Sequence, residues 1–375
     1  MTFSIEGANA TNSATPASRR QTAGTADVQS RAMARGRRRT VVLVSATLLA
    51  GCGRPRDAGS GPDFVLAALH SDAAGQPTAR GRILATLSPF AGRLYVGYGD
   101  IDANTGPIVV AAFDPARAGF AREWTSDTEA VYTYRAFGGR LVAPGIDPRA
   151  AADYAIGPPW RDLRPVGADH VYDVATLDGR ELWLAGSQGL DATLWRVDER
   201  GRGREALRVA PEDRGGDDFA RFYFVFTLQG RLYVQARDFH AGPKAAAQVW
   251  DGSGWSPGPN LLPAPDAQGW HPQPFGERVV YLGRQTVHPQ GSPLFVFDGV
   301  GVAQPLGALV HDVAIAEGRL AALATDGRIL ITTDLSNWTQ AARAPAGSRS
   351  LGALGRDLYV GTEQGALYRS KRPLP

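Results

Sequence analysis

Six histidines lie beyond residue 52, at positions 70, 170, 240, 271, 288 and 311, and some of them stand beside carboxylates. His170-Val171-Tyr172-Asp173 and His311-Asp312-Val313 each open an alternating apolar run. Trp270-His271 opens another, and Arg221-Phe222-Tyr223 opens a fourth. Imidazole, carboxylate, guanidinium and aromatic groups gathered at one place can bind a sugar, a metal or a peptide. Read as strand starts in register, with His170 and His311 equivalent, these groups would meet at one end of the fold. Asp100, Asp147, Asp238, His240 and His288 fall in turns that would open on the same side. The candidate ligand-binding set is therefore His170, Tyr172, Arg221, Tyr223, Trp270, His271, His311, Asp312, Asp238 and His240. The competing reading is that such histidines bond to neighbouring backbone, with Asp173 and Asp312 tying the network together. The chain has no His-x-x-x-His pair and no Walker-type run, and no catalytic residue, metal or cofactor is assigned.

The elements that must position these groups follow from a repeat. A turn ending in glycine, then an alternating apolar strand, occurs at Gly92, Gly139, Gly179, Gly230, Gly276, Gly318 and Gly355. The intervals are 47, 40, 51, 46, 42 and 37 residues, near the length of a four-stranded propeller blade. With 45 glycines and 26 prolines among 375 residues, tight turns and short strands are favoured over a helical bundle. The fold expected is all-β, a seven-bladed β-propeller of four-stranded antiparallel blades over residues 62–375. The last repeat ends early in Pro373-Leu374-Pro375, which leaves its outer strand missing. Phe64 to Leu69, an apolar run before the first repeat, is expected to supply it and close the ring. Trp124, Trp160, Trp255 and Trp338 recur at outer strands, where packing between blades is the expected role.

The net charge of +3 comes from the N-terminus. Residues 1–51 hold seven arginines against Glu6 and Asp27, leaving 33 basic and 35 acidic groups in residues 52–375. That balance lacks the basic footprint of a nucleic-acid binder. Arg35, Arg37, Arg38 and Arg39 precede the ten-residue apolar run Val41 to Ala50, the length of a signal-peptide core and too short to span a bilayer. The run ends in Leu49-Ala50-Gly51-Cys52, which resembles the bacterial lipobox. The resemblance implies cleavage before Cys52 and lipidation of its thiol, with 1–51 an N-terminal extension and signal peptide and 52–61 a lipidated cysteine and flexible tether. Cys52 is the only cysteine, so intrachain disulfides and cysteine-based zinc sites are excluded.

The strands Leu94-Tyr95-Val96-Gly97 and Leu358-Tyr359-Val360-Gly361, with Thr332-Thr333-Asp334-Leu335-Ser336-Asn337-Trp338, resemble bacterial lipoproteins that carry sialidase-like, Asp-box (BNR-type) β-propellers. Val249-Trp250-Asp251-Gly252-Ser253-Gly254-Trp255 is a weaker echo. The resemblance implies that Asp334 is a turn residue. It does not imply sialidase activity, because the Arg-Ile-Pro signature is absent. Of the 40 basic residues 38 are arginine, so a single arginine carries little information by its type. The function expected is that of a lipid-anchored binding or assembly module in the bacterial envelope. It would be held to the membrane through Cys52 and would engage an envelope protein or a glycan, not nucleic acid. The alternative is a glycan-active hydrolase or lyase with its site at the channel mouth.

Overall fold

The computed structural model describes residues 63–147, 152–214 and 218–374. The extension, signal peptide, Cys52 and tether expected over residues 1–61 lie outside the described residues. The described chain is all-β apart from one turn of helix, Ser71–Ala74, whose N-terminus is capped by His70 through its Nδ1 (3.1 Å from Ala73 N). Seven four-stranded antiparallel sheets fall on the seven repeats.

Each sheet is built by the same local chemistry. The inner strand turns into the second through one of the seven repeat glycines, whose φ runs from 57° to 76°, a region where a Cβ is strained. Farther out, an aspartate opens the turn between the third and outer strands in five repeats: Asp114, Asp198, Asp251, Asp298 and Asp334. Each carboxylate accepts backbone N–H groups of the residues that follow it. At Asp334 the donors are Ser336 N and Asn337 N, both at 2.8 Å, together with Asn337 Nδ2 and the Thr332 hydroxyl. These bonds favour the ionised form and hold the Asp334 carboxyl well below the usual carboxylate range. Only two of the five turns stood out in the sequence.

The ring closes as the short seventh repeat requires. Strand Phe64–Leu69 pairs antiparallel with Ala366–Ser370, with Phe64 opposite Ser370 and Leu69 opposite Ala366. Phe64 is fully buried and packs with Leu358, Val360 and Tyr368. Burial of that ring contributes about 1.5–3 kcal/mol to closure. Neighbouring sheets are tied at their outer edges by tryptophan. Trp160 Nε1 donates to Glu123 (2.8 Å), Trp124 Nε1 to Asp162 (3.0 Å) and Trp255 Nε1 to Ala206 O (3.0 Å), each reaching an adjacent sheet. Trp338 instead bonds within its own turn, to Leu335 O.

Two buried aspartates tie the inner strands. Asp173 in His170–Ala175 takes a two-pronged bond from Arg135 of the second repeat (2.7 and 3.0 Å) and the N–H of Val225 in the fourth. Asp312 in Val310–Ala316 holds His271 of the fifth repeat (2.9 Å) and the N–H of Leu351 in the seventh (2.8 Å). Each also accepts the N–H of the residue after it. Thus each carboxylate spans three consecutive repeats.

This corrects the expected register. The pairing skips one residue between Val171 and Asp173, and one between Val310 and Asp312. The bulged residues are Tyr172 and His311. His311 is therefore equivalent to Tyr172, not to His170. The seventh repeat has the same irregularity between Ser348 and Ser350, which puts Arg349 at that place. A bulge frees one side chain from the alternation of the strand and re-aims it. In the fourth repeat the upper part separates into a small three-stranded sheet of Ala220–Arg221, Arg237–Asp238 and Gly242–Pro243.

Candidate functional site

One mouth of the central channel opens into a cavity of about 790 Å³. Its floor is aromatic. Tyr172 and Tyr223 line it and pack with the buried Tyr132 and Trp270, edge to face or tilted, with centroids 4.8–6.2 Å apart. Arg135 reaches from the second repeat to Pro272 O of the fifth at 2.7 Å. Burial pushes the Tyr172 and Tyr223 phenols above their usual range, which keeps both hydroxyls protonated at neutral pH.

The walls are polar. His170 is bonded on both ring nitrogens: Nε2 lies 2.8 Å from Asp147 Oδ1 and Nδ1 lies 2.9 Å from Ser187 Oγ. Since an ionised carboxylate only accepts, the proton sits on Nε2, and Nδ1 accepts from the serine. The three residue types match a hydrolase triad, but Ser187 is 0% exposed, so its hydroxyl cannot reach a substrate. It orients the ring, which stacks on Tyr172 (5.5 Å, 11°). Across the mouth Arg349 pairs with Glu363 (3.1 Å) and donates to Pro289 O. It also lies 3.1 Å from His311 Nε2. Burial first, and the Arg349 charge second, lower the His311 pKa to about 4. Arg80 pairs with Asp102 and donates to Gln285 at 2.7 Å, joining the first repeat's approach segment to the fifth repeat.

The cavity thus brings together His170, Tyr172, Arg221 and Tyr223 from the candidate set, with Asp147 and His288 from the flanking turns. The others are placed elsewhere. Trp270 packs behind Tyr172 and Tyr223, 3% exposed, with Nε1 donating to Gln268. His271 is turned away from the mouth onto Asp312 and lines a separate cavity of about 160 Å³. Asp312 is fully buried in the inter-strand tie described above. His311 acts on the wall through Arg349 and does not line the pocket itself. Asp238, also fully buried, holds Lys244 Nζ at 2.7 Å and the Glu212 N–H, as a loop anchor. His240 stands exposed beside Phe239 (4.8 Å). Asp100 accepts from Thr78 Oγ1 at 2.7 Å and shapes the approach segment.

Arg80, Arg82, Phe219, Phe239, Arg349 and Glu363 line the pocket without having been singled out in the sequence. Arg80 and Arg82 lie in an irregular stretch before the first repeat, where no period points at them. Arg349 was hidden by the abundance of arginine, although its place one residue before an inner-strand serine marks the bulge. Among the described residues no three His, Cys, Asp or Glu side chains converge as metal ligands would.

No protein-family model and no curated protein matches the chain. Solved structures do. A virginiamycin B lyase from Staphylococcus aureus superposes with a TM-score of 0.54 at 10% identity, over 78% of this chain and 96% of the lyase. The β-propeller domain of the Trilobed protease from Pyrococcus furiosus gives 0.51 at 13% identity, over 77% and 96%. The extracellular domain of a two-component system, BT4673, from B. thetaiotaomicron gives 0.51 at 11%, over 82% of this chain and 39% of that one. At such identities the likeness is one of fold, and the fold is the β-propeller.

Proposed function

We propose that the chain is a lipid-anchored, extracytoplasmic β-propeller that works as a binding module in the bacterial envelope, with its ligand seated in the channel mouth. The observation that carries this reading is the pocket of about 790 Å³, the size of a small-molecule site, with an aromatic floor and arginine-rich walls. The anchor rests on the lipobox-like Leu49-Ala50-Gly51-Cys52. Two acyl chains on Cys52 would hold the domain stably, where one gives only marginal binding. Cys52→Ser should move most of the protein from the membrane to the soluble fraction, and mass spectrometry of the mature N-terminus checks the lipid directly.

The site is tested by in vivo crosslinking from a photoreactive residue at Phe239, on the exposed rim, against one at Leu66, on the exposed face of the closing strand. Capture of one glycan or protein at Phe239 alone supports the reading. Equal capture at both positions, or capture only at Leu66, contradicts it.

A second reading, a glycan-active hydrolase or lyase, is favoured by one feature: the His170–Asp147 pair on the pocket wall, an imidazole placed for proton transfer. His170→Gln should then abolish turnover of a glycan library and leave the melting temperature near that of the parent.

A further inference from the structure

Arg221 and Arg237 stand directly opposite each other on adjacent antiparallel strands of the small three-stranded sheet. Residues in that relation share a face of the sheet, and like charges there repel. Arg80 and Arg349 at the mouth are neutralised by Asp102 and Glu363, and Arg135 by Asp173, while Arg82 donates to Gln76 O. Among the described residues neither Arg221 nor Arg237 has a carboxylate partner. Arg221 is only 8% exposed and donates through Nη1 to Ala220 O and Gly189 O. Arg237 donates through Nη1 to Asp238 O and Phe239 O. The Nε of each is buried with no acceptor. A buried guanidinium that lacks a counter-charge is costly, and two facing one another are costlier.

The surroundings are built to hold this arrangement. The Arg221 guanidinium lies 4.2 Å over the Phe219 ring, which stacks on Phe239 (4.7 Å, 22°). Phe239 N donates to Phe219 O, and the Asp218 carboxylate accepts both Phe219 N and His240 N, fixing the two loops together. Phe239 is left 49% exposed at the rim. The protonated Tyr172 and Tyr223 hydroxyls flank Arg221 on the cavity side. Arg221 is thus set in the pocket lining beside the Phe219–Phe239 stack, with Arg237 opposite it on the next strand and outside the lining.

We infer that the fourth-repeat side of the mouth is an oxyanion site, which takes a carboxylate or phosphate carried on a ring that packs against the exposed Phe239. This deepens the binding-module reading and rests on it. The phenol donors and Arg221 supply charge-assisted bonds to the anion, Arg237 adds its charge from the adjacent strand, and Phe239 selects for a ring attached to the anion.

The test is calorimetric titration of the purified full-length chain at low ionic strength with glucuronate, benzoate and inorganic phosphate, using glucose and benzyl alcohol as uncharged counterparts. Glucuronate or benzoate should bind at least tenfold more tightly than its uncharged counterpart, and added salt should weaken the binding. Tight phosphate binding with weak glucuronate and benzoate would identify a phosphate ligand. Arg221→Gln should weaken binding by about tenfold or more, the loss of a charge-assisted hydrogen bond. Arg237→Gln, at a more exposed position, gives the same direction if Arg221→Gln does not fold. The inference is overturned if no anion binds better than its uncharged counterpart, or if both variants bind as the parent does. Glucose or benzyl alcohol binding as well as the anions would leave the mouth a binding site and remove the anion from it. Binding of none of the five probes overturns the oxyanion site, while crosslinking from Phe239 decides the binding module separately.

Discussion

The third and sixth repeats use one device and differ beside it. Asp173 and Asp312 occupy the same position after a bulge, each tying together the inner strands on both sides of its own. The residue at the bulge is Tyr172 in one and His311 in the other, and the partner drawn from the preceding repeat is a cation, Arg135, or an imidazole, His271. The buried carboxylate is therefore framework, while the bulge is where a repeat can vary what it shows to the channel. Function at this mouth is to be sought in the variable positions and the loops above them.

The largest effect expected from breaking the comparison is at Asp173. Asp173→Ala leaves the Arg135 guanidinium unpaired in the channel and should cost about 3–5 kcal/mol in urea unfolding. Asp312→Ala removes three hydrogen bonds without stranding an arginine, and about 2–3 kcal/mol is expected. Equal losses would show that the partner's charge does not matter and that the two ties are interchangeable.

A smaller effect separates the bulge residues by pH. The His311 pKa is lowered to about 4 in the folded chain, from about 6.5 for a free histidine. The unfolded chain therefore takes up that proton first, so stability falls as pH drops from about 6.5 towards 4. Tyr172 adds nothing in this window. His311→Gln should flatten the slope of the unfolding midpoint against pH in that range, leaving the part due to His70, whose burial lowers its pKa to about 4 as well, and to His288, which burial also lowers. An unchanged slope would place His311 in water. The smallest effect belongs to the outer turns. Asp334→Ala should lower the melting temperature less than either inner-strand change, because the turn it caps is exposed.

Architecture was far more legible than the site. Gly92 to Gly355 mark turns that need positive φ, so the repeat is written in residue type, and the stub after Ser370 announced that Phe64–Leu69 must close the ring. The bulges were not written. A one-residue irregularity reverses which side chains face the channel, and His170 and His311 looked equivalent only because both precede an aspartate. Arg221 was within reach as a strand-start residue. Its significance lay in Arg237, sixteen positions later, and in having, among the described residues, no carboxylate such as those that pair with Arg80 and Arg349. Pairing across strands is a property of register, which composition does not carry.

The most direct measurement is a crystal structure of the chain soaked with glucuronate. The predicted result is a carboxylate bonded to Arg221, with the sugar ring against Phe239. An empty mouth at saturating glucuronate, or a sugar bound with its carboxylate turned towards solvent, would contradict the assignment.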